Sequence, residues 1–521
     1  MSTVSTVPRT RPVTKWALIG AGIIVVLIAA GFALNGTLSH WAREHAMSSL
    51  RESFASDLDL KHLSISVFPS VRVSGDGLTL RYHGRTDLPP LVTVRRFTAN
   101  ANLLSVLTGH IRRVRLEGLE VQVPPKSERS GKKSPSSSPS SAFVIDEIQA
   151  DGAVVKTLPK DPNKEPLVWQ IRKLTLTGAS STRATTFHAT LTNAKPPGEI
   201  ESSGKFGPWN AEEPSQTPVE GSYAFQNADL SVFPGIAGTL SSTGNYRGVL
   251  ERIEAQGKTD TPNFTLKVSG NPVHLTTQYQ AVIDGTDGDT MLQPVTGQFG
   301  RSSVTARGSV AGNKAFPGKT VSLDIVVERG RLEDMLHLAT KGRSASMTGA
   351  VSFRAKLVIP PGDVDVAQKT KLDGEFTVAS AHFSELNVQE KVNELSHRGK
   401  GEPEDPPADT VASDFTGQFH LAHGVMTFPQ LSFRVPGVRI GLNGRYELAD
   451  ESMDFHGTAA LEAKLSQTTT GFKSFLLKAL DPIFSKKNAG AVIPIRISGT
   501  RDKPSFGLDL KPASSAKFTK P

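Results

Sequence analysis

The chain predicts a mainly β fold behind a single transmembrane helix, and three observations predict it. From Leu60 onward, apolar and polar side chains alternate with a period of two in run after run. Nearly every run is bounded by Gly, Asn, Asp or Pro, and the 521 residues include 46 Gly and 34 Pro, a supply that suits many turns. One long charge-free apolar run, "WALIGAGIIVVLIAAGFAL", stands near the start. At the usual strand length the alternating runs amount to about 25 strands of ~5–6 residues.

The apolar run, residues 16–34, would rise roughly 28 Å as a helix, close to the hydrocarbon thickness of a bilayer. Arg9, Arg11 and Lys15 precede it and only Arg43 closely follows it, so residues 1–15 are expected to be a cytoplasmic tail. The rest of the chain then lies across the membrane. A cleaved signal peptide is the rival reading, but the run is longer than the usual apolar stretch and no Ala-x-Ala site follows.

Residues 35–126 form the first exported region. Leu38, Trp41, Ala42, Ala46, Leu50 and Phe54 recur at helical spacing, which predicts a helix over 38–56 that leaves the bilayer and covers a strand edge. Strands follow at Leu63, Ile65 and Val67, at Val71 and Val73, and at Leu78, Leu80 and Tyr82. In "IRRVRLEGLEVQV", Val114 and Leu116 alternate with Arg113 and Arg115, a solvated strand face. Residues 127–141, "SERSGKKSPSSSPSS", are too polar to bury anything and read as a flexible loop. A middle β region covers 142–410 and a C-terminal one 411–521. Only 331–339, 384–395 and 465–484 have helical spacing downstream.

Residues 431–465 alternate almost without a break. Leu431, Phe433, Val435, Val438, Ile440, Leu442, Tyr446, Leu448, Phe455, Leu461 and Leu465 would share one face. That face meets either a packed core or a lipid. Farther on, Phe472, Phe475, Leu476, Ala479, Leu480, Ile483 and Phe484 make an amphipathic stripe flanked by Lys473 and Lys478. Such a helix lies on a membrane or plugs the end of a β structure.

Composition excludes several chemistries. The net charge of +9 is scattered and aromatic residues are 7%, so neither a basic face nor stacking aromatics point to nucleic acid. There is no Cys, which removes disulfides, thiolate metal sites and Cys nucleophiles. "GNKAFPGKT" has the wrong glycine spacing for a phosphate loop, and a strand pattern follows it where a helix is needed. "DGTDGDT" gathers three carboxylates without calcium-loop spacing and reads as a turn. No nucleophile elbow or paired-His metal motif occurs, and His397 sits beside polar loop chemistry. The reading is therefore non-enzymatic, with no cofactor and no nucleic-acid partner.

The layout resembles the AsmA-like proteins of bacterial envelopes. "ISVFPSVRVSGDGLTLRY", with its turn at Phe68, Pro69 and Ser70, is similar to the family's opening motif. Its continuation is matched by the step at Leu103, Leu104, Leu107 and Gly109. The C-terminal region resembles the family's strand repeat, helix and closing segment, here Ile495 to Pro504. The insertion at 127–141 departs from the family pattern and leaves strand register open there. The resemblance implies an elongated, curled antiparallel-type sheet forming a groove. It further implies an inner-membrane anchor, a periplasmic location, phospholipid or another lipid as cargo, a role in outer-membrane biogenesis, and envelope proteins as possible partners. Non-enzymatic assistance to outer-membrane protein assembly is the alternative. No catalytic residue is implied.

Overall fold

A computed structural model describes residues 58–66, 71–81, 89–90, 92–101, 110–123, 144–157, 167–180, 183–208, 210, 213–312, 318–342, 344–384, 386–401, 411–463 and 490–509. The expected span 16–34, the helix over 38–56, the loop 127–141 and the stripe 472–484 lie outside these residues. Among the described residues, no helix is long and apolar enough to cross a membrane.

Among the described residues, twenty-five strands form one sheet. The first are β1 (Leu58–Asp59), β2 (His62–Ser66), β3 (Val71–Leu80), β4 (Val92–Ala101) and β5 (His110–Val123). Then come β6 (Val144–Thr157), β7 (Leu167–Ala179), β8 (Thr185–Ala194), β9 (Pro197–Phe206) and β10 (Pro218–Asp229). The centre comprises β11 (Ile236–Ala237), β12 (Thr239–Val249), β13 (Arg252–Leu266), β14 (Pro272–Ile283), β15 (Thr290–Phe299), β16 (Ser302–Gly312) and β17 (Lys319–Arg331). The remainder are β18 (Met347–Ile359), β19 (Lys371–Phe383), β20 (Ser413–Ala422), β21 (Val425–Val435), β22 (Val438–Glu447), β23 (Ser452–Leu461), β24 (Ala491–Thr500) and β25 (Lys503–Leu508).

Pairing follows chain order and is antiparallel from β6 to β25, with short β11 extending the row of β12 beside β13. β1 and β2 likewise share one row against β3. At ~4.8 Å per row the contour is on the order of 105 Å. One pair breaks the rule: β6 runs parallel to β5, with His110 opposite Val144 and Val123 opposite Thr157. The expected antiparallel-type sheet is thus observed with this one parallel join. A parallel neighbour needs a crossover of a dozen or more residues. The polar insertion lies within the connection between these two strands.

Among the described residues, three α-helices accompany the sheet: α1 (Leu332–Ala339), α2 (Val366–Lys369) and α3 (Leu386–Lys400). The spacing at 331–339 and 384–395 anticipates α1 and α3. His397 belongs to the last turn of α3 rather than to a polar loop. "DGTDGDT" is the expected turn, between β14 and β15. Its carboxylates cap nearby groups: Asp284 accepts from the Thr286 N–H at 2.8 Å and Asp289 from the Gly312 N–H at 2.8 Å.

The sheet curls. The N–H of Val366, after β18, donates to the Pro234 carbonyl, after β10, at 3.1 Å. A flat sheet would hold those rows ~34 Å apart. Accumulated right-handed twist between neighbours supplies the curvature.

Candidate functional site: an uncharged track across the sheet

The two faces differ in chemistry. The outer one is solvated and carries cross-strand ion pairs such as Arg96–Asp76, Arg113–Glu147 and Arg115–Asp151, each at 2.9 Å. Exposed pairs like these stabilise weakly, but opposite charges across strands help fix the register. On the inner face lie α1, through Leu332 against Val351 and Val378, and α3, through Val392 against the cluster that contains Phe433 and Val438.

Directly paired residues share a face, so the register can be followed from strand to strand along the inner side. From β3 to β8 one such line is Val73, Ala99, Val114, Ile148, Leu176 and Phe187. It continues through Gly204, Gly221, Tyr246, Ala255 and Ala281 on β9 to β14. Leu292, Gly308, Leu323, Leu357 and Leu372 carry it across β15 to β19. Leu421, Met426, Tyr446, Met453 and Gly499 extend it through β24, and Pro504 ends it on β25. Every position is apolar, glycine or tyrosine.

Burial varies along this track. Val73, Ala99 and Val114 are fully buried at one end. Leu176, Phe187, Leu292, Leu323 and Leu357 are half-buried, so the middle of the line is sheltered without being sealed.

The residues expected to line a groove sit at the packed end. Phe433, Val435, Val438, Ile440, Leu442, Phe455 and Leu461 are buried in one cluster with Val392 of α3, and Leu431 and Tyr446 pack against it. All nine share the inner face, as the alternation requires. Burial makes the first seven core rather than open lining, because α3 covers the face there, while Leu431 and Tyr446 are half-buried at its margin. Leu448 is half-buried in the turn after β22 and donates its N–H to the Gly424 carbonyl at 2.9 Å. Leu465, Phe472, Phe475, Leu476, Leu480, Ile483 and Phe484 lie outside the described residues.

Sequence reasoning placed strands in the middle of the chain but named no site there, where the inner face changes character. The inner positions of β9, β10 and β12 to β15 carry no charge, yet several are hydroxyl-bearing. Ser202 Oγ donates to the Ser222 carbonyl at 2.9 Å and lies 2.8 Å from the Tyr246 hydroxyl. The Tyr223 hydroxyl meets those of Ser242, at 2.9 Å, and of Tyr279. Thr259 and Thr277 pair at 2.8 Å. Burial raises the pKa of Tyr246, and burial with Tyr223 alongside raises that of Tyr279, so both hydroxyls stay protonated.

Glycines make room for these rings. A Cβ on Gly221 would stand 2.8 Å from the Tyr246 hydroxyl, one on Gly244 2.9 Å from Tyr223 Cε1, and one on Gly257 2.8 Å from the Tyr279 hydroxyl. Each tyrosine therefore lies along the sheet over a neighbouring strand's glycine, the cross-strand shielding that aromatic rings give to glycine. The signal was present as Gly-x-Tyr at 221–223 and 244–246, two residues of one face side by side.

The outer face holds an open depression of about 630 Å³ whose lining includes Arg354, Glu375, Thr377 and Gln418. Among the described residues, no cluster of three or more His, Asp or Glu could hold a metal. No protein-family model matches the chain, and no curated protein matches it.

Proposed function

We propose that the chain is an anchored envelope protein that carries phospholipid along the inner face of its sheet. The observation that carries this reading is the continuity of the uncharged track from β3 to β25. A chain fold needs a core, but a core does not need one uncharged line that crosses every strand in turn. Acyl chain laid on such a line leaves water at about 0.8 kcal/mol per CH₂, and moving it by one strand exchanges like surface for like. No covalent step or nucleotide is required.

The resemblance of both ends to AsmA-like proteins supports the same reading, with residues 16–34 as a bacterial inner-membrane anchor, the N-terminus cytoplasmic and the bulk of the chain periplasmic. The test is to purify the full chain in a mild detergent and identify co-purifying molecules by native mass spectrometry. Several phospholipids per chain are expected. A folded chain free of lipid, even after incubation with phospholipid vesicles, would sink the proposal.

A second reading draws on β25, where Phe506 and Leu508 are 52% and 61% exposed. An apolar terminal strand suits a scaffold that pairs with client strands during outer-membrane protein assembly. A defined protein partner without lipid would favour it.

A further inference from the structure

We propose that the hydroxyl belt on β9 to β14 is a binding station for the ester-linked glycerol region of an acyl lipid, with Tyr223, Tyr246 and Tyr279 as its specificity-determining residues. The inference rests on the lipid reading above and deepens it.

Position is the first support. The belt lies on the uncharged track, where the track's own residues shrink to Gly204, Gly221, Ala255 and Ala281. Small residues leave space above the sheet, and the tyrosine rings lying over glycines floor that space. The clusters of α1 and α3 involve β18 to β24, and α1 reaches the belt strands only at the end of β13, where Asn271 donates to the His337 carbonyl.

Chemistry is the second. The belt offers hydroxyls and no charge. A phosphate placed there would lose its water without gaining a cation, a costly burial. An ester carbonyl only asks for a donor. Tyrosine supplies one, and a phenol can donate and accept at once. The Tyr223 hydroxyl lies between Ser242 and Tyr279, so its proton can turn toward an incoming carbonyl while its oxygen still accepts from a neighbour. Ser202 Oγ gives its proton to the Ser222 carbonyl, so the Tyr246 hydroxyl is the donor to Ser202 and can turn that proton to an incoming carbonyl instead.

The third support is what the hydroxyls are not needed for. Shielding a glycine takes only a ring, and phenylalanine does it elsewhere in this sheet, with Phe225 over Gly198 and Phe419 over Gly374. Three tyrosines on the inner face of neighbouring strands are a departure from the apolar pattern around them.

The test uses the full chain in detergent, titrated with a fluorescent-tailed phosphatidylcholine and with its diether twin, which lacks ester carbonyls. In Tyr223→Phe/Tyr279→Phe, affinity for the diester is expected to fall roughly 10-fold, the worth of about one hydrogen bond. Affinity for the diether should hold. Tyr246→Phe and Ser242→Ala, each checked by thermal unfolding, give independent routes to the same contrast should the double variant misfold. Equal loss for both lipids, or no loss for either across the folded variants, would overturn the station while leaving the groove intact. Failure of the unaltered chain to bind either lipid would overturn the groove reading itself.

Discussion

Arg501 donates twice to Glu451: its Nε to Oε2 at 2.9 Å and its backbone N–H to the Glu451 carbonyl at 3.0 Å. The pair ties the turn before β23 to the turn before β25. Glu451 also accepts the Lys341 N–H at 3.1 Å, while Asn271, after β13, donates to the carbonyls of His337, Thr340 and Gly342 from the other side. The segment after α1 is thus a strut between turns that lie far apart along the sheet. The side chains of Arg501 and Glu451 are only 19% and 11% exposed. Replacing Glu451 with Ala leaves a largely buried guanidinium with the exposed Asp502 as its remaining ion-pair partner and should cost about 3 kcal/mol. The urea midpoint reads it, and a shift below a tenth of the midpoint would rule out a strut of this strength.

Acid should loosen the join between β5 and β6. Glu120, held by Lys156, and Glu147, held by Gln149 and Arg113, both titrate below the usual carboxylate range because those hydrogen bonds favour the charged form. A depressed folded pKa adds stability that is present above the unfolded value, near 4.3, and is lost as pH falls through the folded one. Between pH 6 and pH 3 the unaltered chain should therefore lose more thermal stability than Glu120→Gln/Glu147→Gln. Parallel melting curves would refute this.

Phe433→Ala should act on stability. Its ring packs against Phe415 with centroids 4.7 Å apart inside the α3 cluster, and Phe-to-Ala changes in cores cost about 3–5 kcal/mol. Lipid bound by the still-folded fraction should be unchanged. Leu292→Asp, on the half-buried middle of the track, should do the reverse: a smaller loss of stability and a marked loss of bound phospholipid. Native mass spectrometry beside chemical denaturation separates the two, and identical behaviour would remove the distinction between core and lining.

Gly257→Ala tests the tyrosine shelf. Its new methyl would stand 2.8 Å from the Tyr279 hydroxyl and closer still to the Thr243 carbonyl, so the ring must lift and the strand pair must shift. Overpacking of this kind costs about 1–3 kcal/mol. A neutral result in denaturant would mean that the rings do not rest where the structure puts them.

Much of this architecture was legible because alternation is a local signal. The face shared by Leu431, Phe433, Ile440 and Leu442 could be read directly from period two, and the helical spacing at 331–339 found α1. What covers a face is not local. Nothing near Phe433 in sequence announces that Val392 lies over it, so core and lining looked alike. The polarity of β6 was illegible for a related reason, since strand direction depends on where a long polar connection delivers the chain. The hydroxyl belt was missed because its inner positions, glycine, serine and tyrosine, dilute the hydrophobic pattern that marks strands elsewhere.

The parallel join has a consequence for chain length. Val144 must arrive beside His110 after the chain has left β5 at Val123, so the connection has to retrace the whole strand. That distance is on the order of 43 Å, and an extended chain covers at most ~3.3–3.6 Å per residue. About thirteen residues are therefore the minimum, and the insertion acts as a ruler. Trimming it by a few residues leaves it long enough, whereas trimming by about ten forces β6 to turn over or detach, cutting the track in two at its fourth strand.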